Sequence, residues 1–187
     1  MLPGYSRRAG HGWAFPGNGV TDQADELGFH AAQLFRIAST EYLRLYPQAV
    51  QALEALRARG CRLWLLSNAQ RAFTAYELRA LGLTDKFDGI YLSSDYQCRK
   101  PDVRFFRALL EGEKLDPADC LMIGNDRETD IAGARNAGLS TLYMHTNLTP
   151  AQQAEAEPAL HPTRSKGPYY EVEGWNWHKL ANILCEL

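Results

Sequence analysis

Four short apolar runs, each ending in small polar or charged residues, constrain this chain more than any other feature. They are Cys61 to Leu66, Gly89 to Ser93, Leu121 to Gly124 and Ser140 to His145. Runs of four to six residues bounded by such punctuation suit buried strands and are too short for buried helices. Helical spacing separates them. Ala69 to Leu81 is closed by Gly82, a helix from Pro101 carries Phe105, Leu109 and Leu110, and Thr129 to Ala137 is rich in small residues and closed by Gly138. Strands alternating with helices predict an α/β fold, a parallel sheet with helices on both faces.

The flanks read differently. Residues 1–20 carry five glycines and two prolines without a period, an irregular lead-in. Asp22 to Tyr46 is helical, with Leu27, Ala31, Leu34, Phe35 and Ala38 at three-and-four spacing and interruptions offered by Gly28 and Ser39. Pro47 then opens a second helix, Val50, Leu53 and Leu56 form its stripe, and Gly60 ends it. Beyond Thr149 the pattern predicts a helix from Pro150 to Glu157 and a proline-bearing loop. An edge strand from Tyr169 to Val172 and a final helix from Trp175 to Leu184 follow.

Composition narrows the function classes. The 187 residues carry a net charge of −2, which argues against a nucleic-acid binder working by bulk charge. No apolar run approaches the ~18 residues of a membrane span. Cys61, Cys98, Cys120 and Cys185 are scattered with no CxxC spacing, as expected of reduced thiols in a cytoplasmic protein.

In open α/β sheets ligands sit at the carboxyl ends of the strands, so the residues just past each run are the candidates. Ser67 and Asn68 follow the first. Lys100 and Pro101 come after the second, and Asn125-Asp126-Arg127-Glu128-Thr129-Asp130 follows the third. Each has two readings. Ser67 or Asn68 caps the next helix, or helps hold an anion at its N-terminus. Lys100 is a solvated loop lysine, or a cation set against a helix's positive end and offset by something anionic. Asp126 and Asp130 are dipole partners, or a magnesium site of the kind built from one or two carboxylates plus phosphate and waters. His145, at the end of the fourth run, reads as a structural residue.

Leu65-Leu66-Ser67-Asn68, Arg99-Lys100-Pro101-Asp102 and Ile123-Gly124-Asn125-Asp126-Arg127-Glu128-Thr129-Asp130-Ile131-Ala132-Gly133-Ala134 stand in the order of motifs two, three and four of the haloacid dehalogenase (HAD) superfamily. The chain resembles that family over residues 47–146. The resemblance implies a Rossmann-like core over 46–187, with residues 1–45 the remainder of a helical cap. It implies a magnesium-dependent phosphohydrolase acting on a small phosphorylated metabolite. Ser67 and Asn68 would bind the phosphoryl group, Lys100 would neutralise it and orient the nucleophile, and Asp126 with Asp130 would hold Mg2+. Asn125, standing where many relatives carry an aspartate, would be a neutral oxygen ligand.

One motif of that family is missing. Its nucleophile and general acid form Asp-x-Asp after a first strand. Here the only aspartates before residue 80 are Asp22 and Asp25, three apart and without an apolar run before them. The expectation is therefore a chain that lacks its first strand and does not turn over. A gap would lie between the strands at 61–66 and 121–124, and solubility or stability would suffer. The rival expectation is an inactive HAD-like module that binds phosphate or a protein partner. A receiver domain of the response-regulator kind places similar residues at strand ends, but the order of Lys100 and the Asp126 loop is wrong for it. The sequence sets no oligomeric state.

Overall fold

A computed structural model describes residues 21–146, 160–162 and 169–173. The expected lead-in at 1–20 and the helices at 150–157 and 175–184 lie outside the described residues. The chain divides into two units, residues 1–43 and 44–187.

The first unit contributes α1 (Thr21–Ser39). The helix ends seven residues before the expected Tyr46. The Ser39 and Thr40 hydroxyls both turn back onto the Arg36 carbonyl, and the Thr40 N–H bonds the Ile37 carbonyl. Hydroxyls that satisfy late carbonyls offer the chain an exit from the helix. The apolar stripe of α1 is exposed, with Leu27, Leu34 and Phe35 each about 70% accessible.

The second unit runs α2 (Ala49–Ala58), β1 (Trp64–Ser67), α3 (Arg71–Ala80), β2 (Gly89–Leu92) and α4 (Ser93–Tyr96). It continues through α5 (Val103–Glu113), β3 (Leu121–Gly124), a π-helical turn (Arg127–Ala132), α6 (Gly133–Asn136), β4 (Ser140–His145), β5 (Leu160–Pro162) and β6 (Tyr169–Glu173). Pro47 and Gln48 form a turn before α2, because Gln48 adopts a left-handed conformation (φ 65°) that a helix cannot include. Ala52 is the buried residue of α2, while Val50, Leu53 and Leu56 are half-buried.

β1 pairs with β2 in parallel, Trp64 opposite Gly89 and Ser67 opposite Leu92. β3 pairs with β4 in parallel, Gly124 opposite Tyr143, and β4 continues to β6 and β5. The two ladders share no hydrogen-bonded strand pair, and among the described residues no strand lies between β1 and β3. β6 corrects the expectation of an edge strand. β5 pairs antiparallel on its outer side, Pro162 opposite Tyr170. Proline lacks a donor for the ladder, so its place on the outermost strand is the tolerated one. The loop residues around Pro162 therefore form a strand that proline had masked in the sequence.

The core follows from strand alternation. Met122 packs with Leu66, Tyr91, Phe105, Phe106, Leu109, Leu110, Ala134 and Leu139. Leu121 and Ile123, one residue out of phase on β3, join Leu142, Met144 and Tyr170 on the opposite face. α5 is the main apolar contributor, with Phe105 and Phe106 wholly buried, and Asp102 caps it by accepting from the Arg104 N–H at 2.9 Å. Among the described residues no helix is long and apolar enough to cross a membrane.

Candidate active site

Hydrogen bonds and an ion pair join residues at and just after the end of β1 to the loop after β3. Lys100 is their centre. Its Nζ donates to the Leu66 carbonyl at 2.8 Å and pairs with Asp130 Oδ1 at 2.6 Å. Both side chains of that pair are only 9% exposed. The ammonium therefore joins the end of β1 to the loop after β3, across two ladders with no hydrogen-bonded strand in common. The cost of a cation near the start of α5 is met by Asp130, the anionic partner the sequence left unspecified.

The loop after β3 shows why Asp130 can reach. The Asp126 carbonyl accepts from both the Asp130 and Ile131 N–H groups at 3.1 Å. Four- and five-residue spacings at one carbonyl make a wide turn, so the segment is π-helical before α6 and not the expected continuous α-helix. Wide turns of this kind are frequent at functional sites. The turn sends the Asp130 carboxylate back under the loop, where Oδ2 accepts from Asn125 N–H at 3.1 Å and Asp126 N–H at 3.2 Å. Gly124 is required here, because a Cβ at that position would overlap the Asp130 Cβ and carboxylate. Gly133 plays the same part for α6. A Cβ there would come within 2.7 Å of the Phe106 ring and 2.9 Å of Pro101 Cα. The small residues thus bring α6 against α5 and the Lys100-Pro101 segment.

Asp126 caps the turn. Its Oδ1 accepts from the Thr129 N–H at 2.7 Å and the Glu128 N–H at 2.9 Å. Bonds from the Thr129 backbone and hydroxyl hold its pKa below the usual carboxylate range, with smaller help from Glu128 and the Lys100 charge. A lowered folded pKa contributes stability above the unfolded value of about 3.9 that fades as pH falls through the folded one. We expect the Asp126 carboxyl carbon to titrate below pH ~3.9 by NMR, with the Glu128 and Thr129 amides shifting at the same midpoint. A midpoint at or above the ordinary value would contradict the cap.

The remaining candidates are placed as follows. Asn125 Nδ2 donates to Thr146 Oγ1 at 2.8 Å. Ser67 ends β1, and among the described residues nothing hydrogen-bonds its hydroxyl. Asn68 clasps the Lys100 backbone, Oδ1 accepting from its N–H at 2.8 Å and Nδ2 donating to its carbonyl at 2.9 Å. The β1 loop is also tied to α4. Ala69 O accepts from Ser93 Oγ and Ser94 N–H, and the Arg71 guanidinium pairs with Asp95. Arg127 lies over the Tyr143 ring at 4.4 Å and Tyr143 meets His145 edge-on, a stack the strand pattern did not reveal.

As folded, Asp130 has both carboxylate oxygens bonded, whereas Asp126 uses Oδ1 and Asn125 uses Nδ2. Among the described residues no three His, Cys, Asp or Glu side chains gather. What the rim does offer is a buried ammonium. Two of its three donors are used among the described residues.

A family model for haloacid dehalogenase-like hydrolases matches residues 11–138. The chain belongs to this HAD family. It is 32% identical over 115 residues to the glyceraldehyde 3-phosphate phosphatase of Methanothermobacter thermautotrophicus, covering 62% of this chain and 51% of that protein. It is 34% identical over 116 residues to the phosphoserine phosphatase of Thermus thermophilus, covering 62% and 46%. The chain thus spans about half the length of these HAD relatives. A HAD phosphatase from Thermococcus onnurineus has a similar fold, with a TM-score of 0.59 at 21% identity over 87% of this chain and 80% of that one.

Proposed function

We propose that this chain carries the phosphoryl-binding rim of a magnesium-dependent HAD phosphohydrolase for a small phosphorylated metabolite. The observation that carries the reading is Lys100. It is a buried ammonium held by one carboxylate and one carbonyl among the described residues, with a donor left for an incoming anion, and Ser67 follows the Leu66 whose carbonyl it bonds. A preorganised cation where charge develops is the arrangement that favours phosphoryl transfer. The names of the relatives above support a phosphate monoester as substrate class, and residues 1–45 read as part of a helical cap. No nucleic-acid or membrane partner and a cytoplasmic setting belong to the same reading.

Magnesium enters from the family. Asp126 through Oδ2 and Asn125 through Oδ1 would hold it, and Asp130 would have to exchange its present bonds. The chain has no Asp-x-Asp, and the two aspartates at the rim are engaged as a cap and as the Lys100 partner. This specific observation favours the second reading, a phosphate-binding module without turnover. Catalysis through a carboxylate nucleophile needs that group free.

The test combines binding and turnover on the purified full chain. Inorganic phosphate binding is followed by calorimetry in wild type and Lys100→Met. Hydrolysis of phosphoserine, phosphoglycolate and glyceraldehyde 3-phosphate is followed with and without Mg2+. We expect binding that Lys100→Met abolishes, and turnover at least roughly three orders of magnitude below a typical kcat of ~10 per second. Robust turnover would show a nucleophile elsewhere in the chain. Absence of binding would remove both readings.

A further inference from the structure

The Asn68 side chain faces Lys100 as one peptide group faces another. Its Oδ1 accepts from the Lys100 N–H and its Nδ2 donates to the Lys100 carbonyl, at 2.8 and 2.9 Å. Residues opposite each other in an antiparallel ladder exchange bonds in this two-point way, and here a side chain stands in for the second strand. Two residues earlier, the Leu66 carbonyl takes the Lys100 ammonium. Three of the four Lys100 bonds described therefore go to residues 66–68, and the fourth goes to Asp130.

This pattern bears on how a loop lysine is held. Lys100 lies outside any helix or strand, so no ladder or helix sets its backbone. A long side chain on an unset backbone samples many rotamers, and ordering it costs entropy. Asn68 supplies the missing restraint at both the N–H and the C=O. With those fixed, the ammonium reaches Leu66 O and Asp130 together, although these belong to ladders that share no hydrogen-bonded strand pair.

We propose that Asn68 is a positioning residue. It registers Lys100 at the rim, and it does not itself contact the phosphoryl anion as the sequence motif suggested. An amide turned to face a ligand would give up both bonds to Lys100. The proposal rests on the phosphate-binding reading only for the consequence that anion affinity depends on Asn68. The placement of the ammonium is independent of it.

The test uses the full chain labelled with 15N at lysine Nζ, first without phosphate. The Lys100 ammonium resonance is assigned by its loss in Lys100→Met. Asn68→Ala removes both bonds. Asn68→Asp keeps the acceptor for the N–H but sets a carboxylate oxygen against the Lys100 carbonyl. Asn68 is exposed, so neither change empties the core, and unchanged far-ultraviolet circular dichroism verifies the fold. If one variant fails to fold, the other is read alone. We expect both variants to shift the Lys100 resonance and to speed its proton exchange by about tenfold. Titration with inorganic phosphate should then show affinity weakened by about tenfold.

An unchanged Lys100 resonance overturns the proposal. If phosphate affinity falls while that resonance stays put, Asn68 touches the anion directly. A shifted resonance in a protein that binds no phosphate sustains the positioning role and overturns the phosphate reading instead.

Discussion

Asp130→Ala should destabilise the protein by about 3–5 kcal/mol, the usual cost of removing one partner from a buried ion pair. For a chain of this length that corresponds to a fall in Tm of roughly 6–20 °C. The cost is large because three groups lose their acceptor together. The Lys100 ammonium keeps only the Leu66 carbonyl, and the Asn125 and Asp126 N–H groups lose Oδ2. Lys100→Met should cost less, because Asp130 retains those two N–H donors. The order of the two variants is therefore a sharper test than either value. Chemical denaturation checks it, and an Asp130→Ala protein within about 0.5 kcal/mol of wild type would show that the pair does not hold the loop. The pairs Arg57–Asp88 and Arg71–Asp95 are about a third exposed and should contribute at most about 1 kcal/mol each.

Phe105→Ala should be as damaging, for a different reason. Phe105 is fully buried on α5 between the sheet and the aromatic contacts of Tyr96. Truncating such a side chain loses transfer energy and leaves a cavity, about 3–5 kcal/mol in total. Phe35→Ala on α1 removes the same atoms from a position 69% exposed and should change stability by less than about 0.5 kcal/mol. Equal effects of the two substitutions in thermal or denaturant unfolding would contradict the burial assigned to both.

Much of the fold was legible because strand and helix leave different periods in a sequence. The β3 and β4 boundaries at Leu121, Gly124, Ser140 and His145 were read directly, since Gly124 and Gly138 punctuate them. The rim was legible for a related reason. In a parallel ladder both strands end on the same side, so the residues that follow each strand are the ones to examine, and Lys100 and Asp130 are among them. The HAD resemblance rested on that order of motifs.

Other features were not legible. β5 was hidden because a proline-bearing segment reads as loop unless a neighbouring strand supplies its ladder. The early end of α1 came from two hydroxyls bonding back to one carbonyl, a choice invisible in apolar spacing. The separate bonding of β1 and β2 from β3, β4, β6 and β5 is a matter of which strands pair, which periodicity does not reveal.

The sequence by itself determined which residues could form strands, which helices separate them and which charged and hydroxyl groups follow each strand. Those are local properties, set by side-chain period and backbone preference. Only the tertiary structure decided what those groups do. Asp130 had the spacing of a metal ligand, yet the wide turn places it on Lys100 and two backbone N–H groups. Asn68 had the position of an anion ligand, yet its amide closes on the Lys100 peptide. A carboxylate or an amide oxygen takes whichever donors come within about 3 Å, and those donors lie four to more than thirty residues away along the chain.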